Sequence, residues 1–415
     1  MPGFSSKAFR EMQLLKAVYA RGEMTRTELA DATGLTAGTV ARLVNDLAHR
    51  NLLSTAPRRD GHLRGRPSEV ITLSAQAGHV AGLEFGRDHL AVTILDAAGN
   101  LILHEQEVSA PEFIASQSTL DQLIARAKDS AARAGVAWDS VLGIGLALHD
   151  VVTADGSWLT IDRPDAPPCP AKEHLERRTG RTVVVEDVSR AFAEAEHRHG
   201  AGRQCPDMIY MFIGSHGVGG GIFLNGRMLK SASGICGEIG HIIVDEDGEL
   251  CQCGSRGCLE TAASHTRIIE QFLELRDQGV ATTLGNRASV RFAEICRAAG
   301  EGDKAAYLVL HNLARRAGAA LASAVNITGA PVIVIGGHLR LAGSPFLHEV
   351  SAALRQRVVA QLAREISVRY AELPAHAGAW GVSIQALDAA WSSGTFLTHQ
   401  TDTSASGWGL KEAGM

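Results

Sequence analysis

No apolar run in this 415-residue chain approaches the roughly 18 residues needed for a membrane-spanning helix, which excludes such an anchor. The opening residues, Met1-Pro2-Gly3-Phe4-Ser5-Ser6-Lys7, lack the apolar stretch of a secretory signal. Disulfide-like spacing is missing as well. Cys169, Cys205, Cys236 and Cys296 are scattered, which fits a reducing cytoplasm. Net positive charge is also lacking: the formal charge is −5. That deficit is uneven, because residues 1–70 hold eleven Lys and Arg against seven Asp and Glu, a net of +4 that leaves −9 for the rest. A basic head on an acidic body predicts that only the head meets polyanions. At 415 residues and 45% hydrophobic content, two or three domains with a sizeable core are expected.

The head carries its own start and stop signals. A helix is predicted over 7–21, with Phe9, Leu14, Leu15, Val18 and Tyr19 on one stripe and Gly22 ending it. Thr25-Arg26-Thr27-Glu28 has the form of a capping box, stapled by Met24 and Leu29, and opens a second helix over 26–33 that stops at Gly34. A third begins at the cap Thr36. Val40, Leu43, Val44 and Leu47 face inward, leaving Ala37, Gly38, Thr39 and Arg42 outside. Two short helices joined by a glycine turn, with small residues opening the second, are a helix-turn-helix. Small side chains let that helix sit deep in a major groove, where Thr36, Ala37, Thr39 and Arg42 meet bases or phosphates. Leu52-Leu53-Ser54 and Val70-Ile71-Thr72-Leu73 read as strands flanking Arg58-Arg59-Asp60-Gly61-His62-Leu63-Arg64-Gly65-Arg66-Pro67. That hairpin is a wing, and Arg64 and Arg66 suit a narrow A·T minor groove. Double-stranded DNA is the predicted partner of residues 1–75.

The most specific pattern lies further on. His241 is followed by Cys251-Gln252-Cys253-Gly254-Ser255-Arg256-Gly257-Cys258. One imidazole and three thiols complete a tetrahedral zinc shell with no open position, so the metal is predicted to be structural. Cys-x-Cys is poorly spaced for a mutual disulfide, and the flanking Gly, Gln and Arg are wrong for a thiol core. Glu238 and Glu260 bracket the cluster.

Beyond Gly78, apolar strands alternate with helices: His79–Phe85, Leu90–Asp96, Leu101–His104, a helix near 117–134, Val141–Leu148, Val183–Val185, a helix near 188–198, Met208–Ile213 and Val332–Ile335. An α/β fold with partly parallel sheets follows.

Gly237-Glu238-Ile239-Gly240-His241 and the Cys251–Glu260 run resemble the ROK family (repressor, open reading frame, kinase), over essentially the whole chain. Gly214–Gly221, Ile335-Gly336-Gly337 and Val185-Glu186-Asp187 support the likeness, and the winged head resembles the family's sugar-responsive repressor branch. The resemblance implies a two-lobed actin-like body of ribonuclease H-type sheets over residues 79–398. Its small lobe would span about 79–195 plus a C-terminal return, its large lobe about 196–365, and residues 399–415 read as a poorly ordered tail. Sugar contacts are implied at Asp187, Glu238, His241 and Glu260, in a cytoplasmic homodimer or homotetramer.

Kinase members transfer phosphoryl from ATP to a sugar hydroxyl, and there Asp187 would take the proton. Their first phosphate loop reads Asp-x-Gly-Gly-Thr-Lys. Here Glu84-Phe85-Gly86-Arg87-Asp88-His89 stands in its place, with a side chain where backbone must approach phosphate and a carboxylate beside it. Gly214–Gly221 and Gly336-Gly337 match the remaining nucleotide loops, but such glycines also serve plain tight turns. The expectation is therefore a non-enzymatic sensor, with an ATP-dependent sugar kinase bearing a DNA-binding head as the alternative. Glu186 replaces a neutral amide, and His149-Asp150 replaces a Pro-Gly. These changes point to a basic or amino-bearing sugar, an inositol-like polyol, or no ordinary hexose, with Glu186 among the ligand contacts.

Overall fold

The computed structural model describes residues 6–57, 69–86, 89–107, 112, 114–160, 165–214, 217–287, 289–374 and 376–397. The wing arginines, Arg87, Asp88, Ser215, His216 and the 399–415 tail lie outside the described residues.

The head is built by local chemistry. Helices α1 (Ser6–Arg21), α2 (Arg26–Thr33) and α3 (Ala37–His49) are followed by the antiparallel pair β1 (Leu53–Pro57) and β2 (Glu69–Leu73). The Thr25 hydroxyl accepts the Glu28 N–H while the Glu28 carboxylate accepts the Thr25 N–H, so both halves of the capping box form. Gly34 ends α2 in the left-handed region, at φ 68°. Leu14, Leu15, Val18, Leu29, Val40, Leu43, Val44 and Leu47 close the core. Phe9 departs from the expected stripe: it is 62% exposed, and Glu11 takes the buried position, paired with Arg50 at 3.3 Å. An apolar side chain on the wrong side of a helix near its start has no facing element to bury it. The strand expected at Leu52 begins at Leu53 and runs on to Pro57.

Two compact units emerge from the contacts. One comprises the chain to Ala147, Pro170–Val185 and everything from Val382; the other comprises Leu148–Cys169 and Glu186–Gly381. In the first, the sheet runs β5 (Leu101–Glu107), β4 (Leu90–Asp96), β3 (His79–Phe85), β6 (Val141–Leu148), β9 (Thr182–Asp187). Strand β4 is buried at every position and β5, at the edge, is buried at none. Helices α4 (Gln117–Arg133) and α5 (Ala171–Thr179) pack together beside it.

The second unit repeats the plan. Its sheet runs β12 (Arg227–Met228), β11 (Val218–Leu224), β10 (Met208–Ile213), β13 (Val332–Gly337), β14 (Ser367–Tyr370). A three-strand meander is followed by two crossover strands in both units, and β10, β13 and β14 are parallel. This duplicated order is the ribonuclease H-type arrangement. A short hairpin, β7 (Val151–Val152) with β8 (Trp158–Leu159), precedes α6 (Val188–His199). Helices α7 (Leu259–Ala263), α8 (His265–Asp277), α9 (Phe292–Gly300), α10 (Lys304–Thr328), α11 (Gly343–Arg355) and α12 (Ala360–Ala363) complete the unit. Helix α13 (Ala377–Ser393) returns the chain to the first unit.

Candidate functional site: a Cys/His cluster beside a group of carboxylates

A tight turn brings the four soft donors together. Cys251 N–H bonds the Ser255 carbonyl at 2.7 Å, and Gly254 N–H bonds the Cys251 carbonyl at 3.0 Å. Gly257 sits at φ 70°, where an added Cβ would lie 1.5 Å from the Asp245 carbonyl oxygen; only glycine closes this loop. One donor atom each from His241, Cys251, Cys253 and Cys258 falls within 4.8 Å of all the others. Cys253 and Cys258 sulfurs are 3.6 Å apart, as are His241 Nδ1 and Cys251 Sγ. The sulfur separation is far beyond a disulfide bond of about 2.05 Å, and close to the ~3.8 Å edge of a tetrahedron with 2.3 Å metal–sulfur bonds. The Ser255 N–H lowers the Cys253 thiol to about 7, whereas burial pushes Cys258 up to about 12. Since Nδ1 faces the sulfurs, Nε2 of His241 is left to the other side of the ring.

Carboxylates lie nearby, and Glu238 feels the charge of His241. Asp187, at the end of β9, caps α6 by accepting the Ser189 and Arg190 N–H groups at 2.8 and 3.2 Å. Burial raises its pKa, opposed by Arg190 and reinforced by Glu186. Glu238 is raised by burial and then by the charge of Asp187, with Arg190 and His241 opposing and Glu260 adding. These groups thus share one electrostatic environment. Glu260 Oε2 accepts the Val218 N–H at 3.1 Å and lies over Gly217, where a Cβ would meet it at 2.8 Å.

Glu186, expected among the ligand contacts, is held by two cations. It is buried, and its Oε1 accepts the Arg190 Nε at 2.7 Å and its own chain's Asp187 N–H at 3.0 Å, while Lys230 Nζ reaches Oε2 at 3.2 Å. Asp150 is likewise buried, accepting the Trp158 indole N–H at 2.9 Å. Arg190 and Lys230 escaped the sequence reading. The i, i+4 spacing of Glu186 and Arg190 across a helix start was the available signal.

In β3 and just beyond it, Glu84 and His89 are both buried and bond each other, Oε1 to Nε2, at 3.0 Å. In the head, Thr36 caps α3, taking the Thr39 N–H at 3.3 Å, and Thr36, Ala37, Gly38 and Arg42 are exposed with Thr39 partly so. Arg26 ties α2 to this helix through the Ala41 carbonyl and Asn45, at 3.2 and 3.0 Å.

A family model described as the ROK family matches residues 80–389, three quarters of the chain. The chain belongs to the ROK family. Ahead of its ROK body, a model of the MarR family matches residues 8–62, the winged helix. The DNA-binding transcriptional dual regulator NagC of Escherichia coli is 29% identical over 91% of this chain and 92% of its own length. The xylose repressor of Bacillus spizizenii is 25% identical over 91% of this chain and 94% of its own. A solved ROK family transcriptional regulator, described as a homologue of E. coli Mlc, shares the fold at TM-score 0.81 and 24% identity, covering 95% of this chain and 99% of that one. A ROK glucokinase from Streptomyces griseus, solved with glucose and AMPPNP, is 28% identical at TM-score 0.63 and matches 75% of this ROK chain.

Proposed function

We propose that this ROK protein is a sugar-responsive transcriptional regulator, a repressor that a carbohydrate or polyol releases from DNA. The observation that carries the reading is one chain holding both an exposed, Thr36-capped recognition helix and a carboxylate cluster beside a Cys/His turn. Relatives matched along nine tenths of their length are named as repressors or DNA-binding regulators. Thr36, Ala37, Thr39 and Arg42 would enter a major groove, and Arg64 and Arg66 the adjacent minor groove. A dimer or tetramer in the cytoplasm would set two heads on half-sites about one helical turn apart.

Asp187, Glu238 and Glu260 offer acceptors for vicinal hydroxyls, and His241 Nε2 a further polar contact. Glu186 serves by holding Arg190 and Lys230. The donor set of His241, Cys251, Cys253 and Cys258 fits structural zinc by ligand type, closure and sulfur spacing. Bound there, zinc would fix the turn between Glu238 and Glu260 and so the pocket's shape.

Retention of Asp187 favours the second reading, an ATP-dependent sugar kinase. Against it stands Glu84, buried and bonded to His89, which meets no requirement of a phosphate-cradling loop. One experiment tests the proposal: DNA selected with the full chain, then fluorescence anisotropy during titration with a sugar panel. Release by at least one sugar is expected, with no ADP formed in a parallel coupled assay. Sugar-dependent ADP formation without any effect on DNA would establish the kinase instead.

A further inference from the structure

The seven cysteines differ in exposure and in what their sulfurs touch. Cys169 and Cys296 are buried outside the Cys/His turn, and Cys251 and Cys258 are buried within it. Cys205 and Cys236 are half-buried, and each sulfur donates to a backbone carbonyl, Arg203 at 3.5 Å and Leu229 at 3.1 Å. A sulfur that donates carries its proton, and a protonated thiol is a poor nucleophile. Cys253 is the exposed one, in the exposed run 252–256 at the tip of the turn. Nothing stands within 4 Å of where a Gly254 Cβ would lie, so the tip is open on that side. As a metal ligand Cys253 is held as a thiolate, because a bound thiol is deprotonated. Thiolate character and exposure together make a cysteine oxidisable, and among the seven they meet at Cys253.

We propose that Cys253 is a peroxide-reactive modification site that closes a disulfide with Cys258 and releases the metal. This rests on the reading that His241, Cys251, Cys253 and Cys258 hold zinc. The two sulfurs lie 3.6 Å apart. A disulfide of about 2.05 Å asks for an approach of roughly 1.6 Å. Cys258 is anchored at the start of α7, bridged to Ile243, and the next N–H, of Leu259, bonds the Ile242 carbonyl at 2.9 Å. The open tip carrying Cys253 therefore makes the movement. In the first step the Cys253 thiolate attacks a peroxide oxygen; the O–O bond breaks, and the departing hydroxide takes a proton to become water. The Cys258 sulfur then attacks the Cys253 sulfenic sulfur. The S–S bond forms, the S–O bond breaks, and a second hydroxide leaves as water on taking a proton. Two electrons pass from the sulfurs to the peroxide. Neither sulfur keeps the negative charge that binds zinc, so His241 and Cys251 remain as half of a closed shell. Because the turn runs between Glu238 and Glu260, the oxidised protein should answer sugar less strongly.

The test is a graded hydrogen peroxide pulse on the zinc-loaded full-length chain. Released zinc is read with a chromogenic chelator, and the cysteines are mapped by mass spectrometry. Zinc release is expected to track a Cys253–Cys258 link two hydrogens lighter than the reduced pair, while Cys205 and Cys236 stay open to alkylation. A Cys205→Ser/Cys236→Ser double variant should release zinc at the parent rate, since neither thiol takes part. Reductant with added zinc should restore the metal and the melting temperature. Sugar-dependent release from DNA should weaken several-fold after the pulse and recover with the metal. Zinc retained while Cys205 or Cys236 is oxidised overturns the inference and leaves the zinc reading intact. So does zinc released through any other pair of sulfurs. A sugar response unchanged in the zinc-free, disulfide-bonded protein overturns the link to the sensor. A chain that carries no zinc when purified, and takes none up, overturns the metal reading and this inference with it.

Discussion

The Tyr19 hydroxyl in α1 donates a hydrogen bond to the Asp388 carboxylate in α13. The Tyr19 ring lies 6.2 Å from that of Trp391, which stacks on Phe396 at 4.3 Å and donates its indole N–H to the Ala97 carbonyl at 2.9 Å. Arg50 adds a bond to the Leu397 carbonyl at 3.2 Å. The winged head is therefore fastened to the C-terminal helix of its own unit by side chains, not by linker alone. Tyr19→Phe keeps the ring and deletes the bond, a loss of about 1 kcal/mol. Faster amide exchange across α1 and the end of α13 is the expected result, read by mass spectrometry. Unchanged exchange in both segments would show the bond to be incidental.

Asp187 supplies a pH prediction whose sign is fixed. Burial raises its folded pKa. A carboxyl raised above its unfolded value contributes stability at low pH, and that contribution is lost as pH rises through the folded pKa. Asparagine caps a helix as well as aspartate does, so Asp187→Asn preserves the start of α6 while removing a partly buried charge. Relative to the parent, the variant should gain stability progressively from about pH 4 towards pH 8. Urea midpoints across that range check it, and a difference independent of pH would mean that the carboxyl is not perturbed.

Local chemistry was legible in the chain; distant pairing was not. The Thr25–Glu28 box, the Gly34 stop and the Cys/His turn each depend on residues close in sequence, and their geometry follows from spacing. Periodicity puts Phe9 on the inward stripe but does not give the length of the surface that covers it, and Phe9 is exposed. Glu186 reads from the sequence as a charge without a counter-ion, and its partners Arg190 and Lys230 become visible only in the fold, Lys230 coming from another loop. The docking of Tyr19 on Asp388 joins the two ends of the chain, which no local pattern encodes.

The wing hypothesis yields a footprinting experiment. Arg66 is expected to lie in the minor groove, where narrow A·T tracts concentrate negative potential. Arg66→Ala should weaken binding by about 1–3 kcal/mol at operators with A·T-rich flanks, and much less where the flanks are G·C-rich. Arg42→Ala, on the recognition helix, should reduce binding regardless of flank. An equal loss from Arg66→Ala at every sequence would reduce that residue to a phosphate contact.

Cys253 separates metal scaffolding from a plain thiol cluster. It is the exposed member of the four-donor set, so replacing it disturbs the core least. Cys253→Ser should lower bound zinc, measured by elemental analysis, and lower the melting temperature, because metal binding free energy adds to folding free energy. The same substitution should blunt sugar-dependent release from DNA. The turn it closes runs between Glu238 and Glu260, and Glu260 in turn holds the Val218 N–H at 3.1 Å. Loosening one end of that turn lets both carboxylates drift from the geometry that accepts paired hydroxyls. A variant without zinc that still answered sugar at the parent concentration would sever the metal from the sensor.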